Sequence, residues 1–63
     1  MSDLTLTPNI DGTDDFYADL LATHEGKTKA ESDTINARLI LILANHIGDR
    51  DVLSQALNAA DIT

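Results

Sequence analysis

The stretch RLILILANH at residues 38–46 constrains this chain most, because six consecutive apolar residues, Leu39 through Ala44, stand in a sequence of only 63. A helix that packs on one neighbour carries apolar side chains over an arc of about 100°. Advancing each residue by about 100° from Ile35 puts Ile35, Leu39, Ile42 and Leu43 on one face. Ile40, Ile47, Ala44 and Ala37 continue that face around most of the cylinder. Only a ridge of Glu31, Thr34, Arg38 and Asn45 is polar, and Leu41 interrupts it. Such a helix needs cover on two sides, more than the remainder of so short a chain supplies. The sequence therefore reads as a small interaction chain that buries this helix against a partner.

A chain of this length holds one domain, and domains of this size are marginal unless stapled or oligomeric. No cysteine is present to staple it, which agrees with a reducing, cytoplasmic setting. The start, MSDLTLTPN, lacks the basic and apolar regions of a secretory signal. The apolar run falls far below the roughly 20 residues that span a bilayer, so no membrane partner is expected. Four basic residues against eleven acidic ones give a net charge of −7, which repels phosphate backbones and anionic lipid. Nucleic acid is discounted on the same ground. Oligomerisation is left as the way to enlarge the core.

The expected organisation is an extended arm over residues 1–12 and a helical domain over residues 13–63. Pro8 and Gly12 break the arm, and Leu4, Leu6 and Ile10 fall at even spacing along it, giving a sticky edge that lies across a partner or else frays. Thr13 or Asp14 is placed to cap a first helix, with Asp14 and Asp15 near its positive end. Phe16, Tyr17, Leu20, Leu21 and His24 make its stripe, and Gly26 closes it after Glu25. Thr28 and Glu31 fit a capping box for a second helix running to Ile47, stopped by Gly48. Asp49 caps a third helix, Arg50 to about Ala60, whose inner face is Val52, Leu53, Ala56, Leu57 and Ala60. A buried strand over residues 39–43 competes with this reading, but the flanks are capped helix formers and no comparable second strand is available. The fold class is all-α, three helices.

Candidate chemistry is sparse. His24 and His46 lie near helix C-termini, where the dipole favours them, and neither HxxH nor HExxH spacing joins them to Asp49 as metal ligands. In the acidic turn at residues 11–15 the glycine comes too early for a calcium loop, and a turn leading into a helix cap explains it better. No glycine-rich phosphate loop or cysteine nucleophile exists, and Ser2, Ser32 and Ser54 have no histidine or lysine partner at short range. Ser32 near a helix start raises a carrier-protein reading, but Glu31-Ser32-Asp33-Thr34 differs from the Asp-Ser-Leu that carrier domains resemble. A recognition helix at residues 50–60 would offer DNA one arginine flanked by aspartates. A non-catalytic chain without cofactor or metal is expected.

The segment NARLILILANHIGDRDVL at residues 36–53, with Asp14-Asp15-Phe16-Tyr17 before it and Gln55-Ala56-Leu57 after it, resembles a family of roughly sixty-residue bacterial proteins catalogued as a domain of unknown function. The resemblance implies a context beside flavin-dependent aromatic-ring hydroxylases and ring-degradation enzymes. On that footing Asn36, Arg38, Asn45, His46 and Asp49 would set the register of a helix-mediated interface. Arg38 stands out among them. It carries five donors in a rigid fork and can reach a partner carboxylate, or else Asp33 or Thr34 on its own helix.

The expected interface comprises Leu39, Ile40, Leu43, Ala44 and Ile47, with Arg38, Asn45 and His46 as its polar members. Its partner is a second copy of the chain or a larger protein, the hydroxylase being one candidate.

Overall fold

Cap chemistry sets the limits of each helix in this protein. A computed structural model describes residues 3–62, and in it the chain forms three helices and, among the described residues, no strand. Helix α1 spans Thr13–His24, α2 Lys29–Ile47 and α3 Arg50–Ala60.

Helix α2 begins on the expected capping box. Thr28 Oγ1 accepts from the Glu31 N–H at 3.2 Å, and the Thr28 N–H donates to Glu31 Oε1 at 2.9 Å, so two otherwise unpaired donors satisfy each other. The donation from the Thr28 backbone, helped by its hydroxyl, holds the Glu31 carboxyl below the ordinary glutamate range. A carboxyl whose pKa is lowered by folding contributes its stabilisation above the unfolded-state value and loses it as pH falls through the folded-state value. Acidification is therefore expected to loosen the start of α2. Glu31→Gln keeps the box but cannot ionise, so it should flatten this acid dependence. NMR measurement of amide protection at Glu31 and Ser32 through the acid range checks the point, and equal acid sensitivity in both proteins would contradict it.

At its other end α2 stops at Gly48, whose φ of 72° is left-handed and whose N–H donates to the Ala44 carbonyl at 2.9 Å. Helix α3 follows at once. Asp49 Oδ1 accepts from the N–H groups of Asp51 at 2.9 Å and Val52 at 3.1 Å, the capping role its sequence position predicts. A joint of two residues thus fixes how α3 leaves α2.

Helix α1 begins differently from expectation. Its cap is Gly12, in a left-handed conformation at φ 60°, and no side chain caps it. The Thr13 hydroxyl instead turns back to donate to the Ile10 carbonyl at 2.9 Å. Asp14 and Asp15 lie in the first turn as expected.

The helices meet along half-buried residues: Leu20 and His24 of α1, Ser32, Ile35, Leu39 and Ala44 of α2, and Val52, Leu53, Gln55 and Ala56 of α3. The principal helix–helix contact joins α2 to α3. The expected stripe of α1 is covered only at Leu20 and His24, because Phe16, Tyr17 and Leu21 remain exposed. Residues 4–10 contain no helix or strand. Leu4 is half-buried and its N–H donates to Gln55 Oε1 at 3.1 Å, which ties the arm to α3, whereas Leu6 and Ile10 are exposed.

Among the described residues no side chain is fully buried. A chain of this mass exposes about 9,900 Å² when unfolded, so reaching 5675 Å² removes only about two fifths of that surface, where a compact domain of this size removes about 60%. The radius of gyration, 13.5 Å, likewise exceeds the roughly 10.5 Å of a compact chain of this length. The α2 helix has been built and bounded by local chemistry, but its apolar surface has been left uncovered. No helix among the described residues is long and apolar enough to cross a membrane.

Candidate interaction surface

Because Gly48 and Asp49 turn the chain sharply, the second half of α2 and the length of α3 face each other across an open groove of about 600 Å³. Helix α2 contributes Ile40, Leu43, Ala44 and Ile47 to it. Helix α3 contributes Leu53, Ala56, Leu57 and Ala60, residues spaced at the three-and-four interval that aligns side chains along a helix. Arg50 and Ser54 are the polar members of the lining. The two helices form its walls, with large branched side chains and small alanines interspersed along the lining. Both walls stay open to solvent, with Ile40 64% and Leu57 71% exposed.

The structure brings four of the expected interface residues, Ile40, Leu43, Ala44 and Ile47, into this one groove. Leu39 lies outside it as one of the half-buried residues that mark where the helices meet. Arg38, Asn45 and His46 are exposed and do not line the groove. Arg38 has no hydrogen-bond or ion-pair partner among the described residues. On its own helix, Asp33 Oδ2 pairs with Lys29 Nζ at 2.8 Å and the Thr34 hydroxyl donates to the Ala30 carbonyl at 3.1 Å. Leu41 and Ile42 are exposed on the flanks of the polar ridge.

Two features of the groove differ from the sequence expectation. Leu57 and Ala60, expected on an inner face, line an open groove, and half-burial on α3 is confined to Val52, Leu53, Gln55 and Ala56. Arg50, in the first turn of α3 three residues before Leu53, also lies on the groove side, a place its spacing could have signalled.

Ser32, without a histidine at short range in the sequence, meets one in the fold. His24 Nδ1 lies 2.9 Å from Ser32 Oγ across the turn between α1 and α2. Eight residues separate them, so no short-range motif signals the pair. A nucleophilic serine also needs its histidine oriented by a third group, and nothing else hydrogen-bonds the His24 ring among the described residues. The pair ties the end of α1 to the first turn of α2. Among the described residues no group of three or more His, Cys, Asp or Glu side chains gathers where a metal ion could be held.

The family model described as "Protein of unknown function (DUF2783)" matches residues 4–61, running through the arm and all three helices. No curated protein and no solved structure matches the chain.

Proposed function

We propose that this chain, which belongs to the DUF2783 family, is a non-catalytic interaction protein that assembles through the apolar face of α2, as a homo-oligomer or as a small subunit on a larger protein. One observation carries this reading. A chain with helices capped at α2 and α3 exposes five of the seven large apolar side chains of α2 and buries none completely. Apolar patches of more than a few hundred Å² on a soluble chain mark interaction sites. Interface residues on this reading are Ile40, Leu43, Ala44 and Ile47, joined by Leu53 and Leu57 from α3. Arg38 and Asn45 form a separate polar ridge between Leu41 and Ile42, suited to fixing orientation rather than supplying affinity.

Helix content measured together with particle mass, from millimolar to submicromolar concentration, tests it. Mass and helicity should fall together on dilution of the chain alone, or helicity should rise on titration with a partner. A lone chain that stays a fully helical monomer at every dilution, with a sharp thermal transition, would end the proposal.

The larger-protein version takes its candidate from the resemblance, a flavin-dependent aromatic-ring hydroxylase. Its basis is the context that the resemblance implies, together with the exposed Arg38 beside Leu41 and Ile42. A hydroxylase that is fully stable and fully coupled without this chain would remove that version.

A further inference from the structure

We propose that the occupant of the α2/α3 groove is a second copy of this chain, packed isologously so that two α2 and two α3 helices form a four-helix layer. The inference rests on the interaction reading above and names its partner.

Area supplies the first argument. A compact monomer of 6.8 kDa exposes about 4,000 Å², so 5675 Å² leaves a surplus of about 1,700 Å². The extended arm accounts for part of it. The rest lies on the helices, to be compared with the roughly 800 Å² that each partner buries in a standard interface and the larger areas of obligate homodimers. A chain with no completed core fits the obligate class, whose interfaces resemble a domain core cut in half.

Charge supplies the second. The chain carries −7, so two copies repel at long range, and a contact surface free of carboxylates avoids adding close like-charge pairs to that cost. The groove meets that condition, since Arg50 is its sole charged lining residue and no aspartate or glutamate lines it. A dedicated basic partner would instead be matched by acidic residues at the rim of its site.

Shape supplies the third. Isologous contact requires one patch to be complementary to itself. Here one surface carries both large side chains, Ile40, Ile47 and Leu57, and small ones, Ala44, Ala56 and Ala60. A two-fold axis can set the large side chains of one copy against the alanines of the other, at the close helix spacing that alanines permit.

The test uses the full chain in sedimentation equilibrium at low and moderate sodium chloride, beside Leu57→Glu. Because Leu57 is 71% exposed in the single chain, the substitution spares the protomer and falls on the contact. The expected result is a particle of twice the chain mass that tightens several-fold as salt screens the like charges over a Debye length of about 8 Å. Leu57→Glu should weaken it at least 100-fold. A trimer or larger ring would overturn the isologous packing. A chain that is monomeric and poorly helical alone, and folds only with a different protein, would overturn the dimer while leaving the interaction reading in place. A helical monomer indifferent to Leu57→Glu would overturn both.

Discussion

Leu43→Asp should abolish the helical signal of the purified chain at micromolar concentration, while Asn45→Asp should leave it nearly unchanged. The two substitutions add the same charge to the same turn of α2 but at different places on its surface. Leu43 lines the groove, whereas Asn45 stands on the exposed polar ridge. Removing a buried leucine from a contact forfeits about 1.5–3 kcal/mol, and leaving an unpaired carboxylate in that contact adds a few kcal/mol more. A domain this short has about 3–9 kcal/mol of stability in all. The groove substitution therefore consumes most or all of it if the groove is covered, and very little if it faces water. Circular dichroism and chemical unfolding of the two variants side by side decide the matter. Equal unfolding midpoints would mean that Leu43 is solvated in the working protein, and that the exposed face of α2 needs no partner.

What could be read from the sequence divides according to how far apart the interacting residues are. Thr28 with Glu31, Gly48 and Asp49 act within a single turn, and each does in the structure what its position predicts. Helix α2 and helix α3 therefore keep the boundaries expected of them. The start of α1 was misread because two residue types compete there. Thr13 has the right chemistry for a cap, but its hydroxyl finds the Ile10 carbonyl first, and Gly12 takes the left-handed position that a threonine would resist.

Contacts between elements were less legible. The apolar spacing of Phe16, Tyr17, Leu20, Leu21 and His24 marks a helix, but periodicity carries no information about whether a facing surface exists, and only Leu20 and His24 find one. The pairing of His24 with Ser32 depends on the geometry of the turn through Gly26. The groove depends on the angle between α2 and α3, which the two-residue joint at Gly48 and Asp49 sets and no spacing rule encodes. The width of the apolar arc on α2 was the exception. It signalled surplus surface directly, and the exposed Ile40, Leu41, Ile42, Leu43 and Ile47 are that surplus.

That joint is the second place where a single atom should have a large effect. Gly48→Ala is expected to cost about 1–2 kcal/mol, the penalty for a Cβ in the left-handed region, and Gly48→Asn should cost clearly less. Steric crowding does not enter, because a Cβ at Gly48 would meet only the Asn45 carbonyl oxygen at 3.8 Å, an ordinary contact. The whole cost lies in the backbone at φ 72°, and asparagine tolerates that region better than alanine does. For a chain without a completed core, such a loss is a large share of the total stability. It also reaches the groove. If Gly48 relaxes toward negative φ, α2 extends past Ile47, the Asp49 cap on Asp51 and Val52 is lost, and α3 no longer holds Leu57 and Ala60 opposite Ile40 and Ala44. Assembly should accordingly weaken in the same order as stability, with Gly48→Ala below Gly48→Asn and both below the natural chain. Urea unfolding midpoints paired with particle mass for the three proteins measure both quantities. Loss of stability with unaltered assembly would mean that the interface does not need α3 in this position, and would confine it to α2 alone.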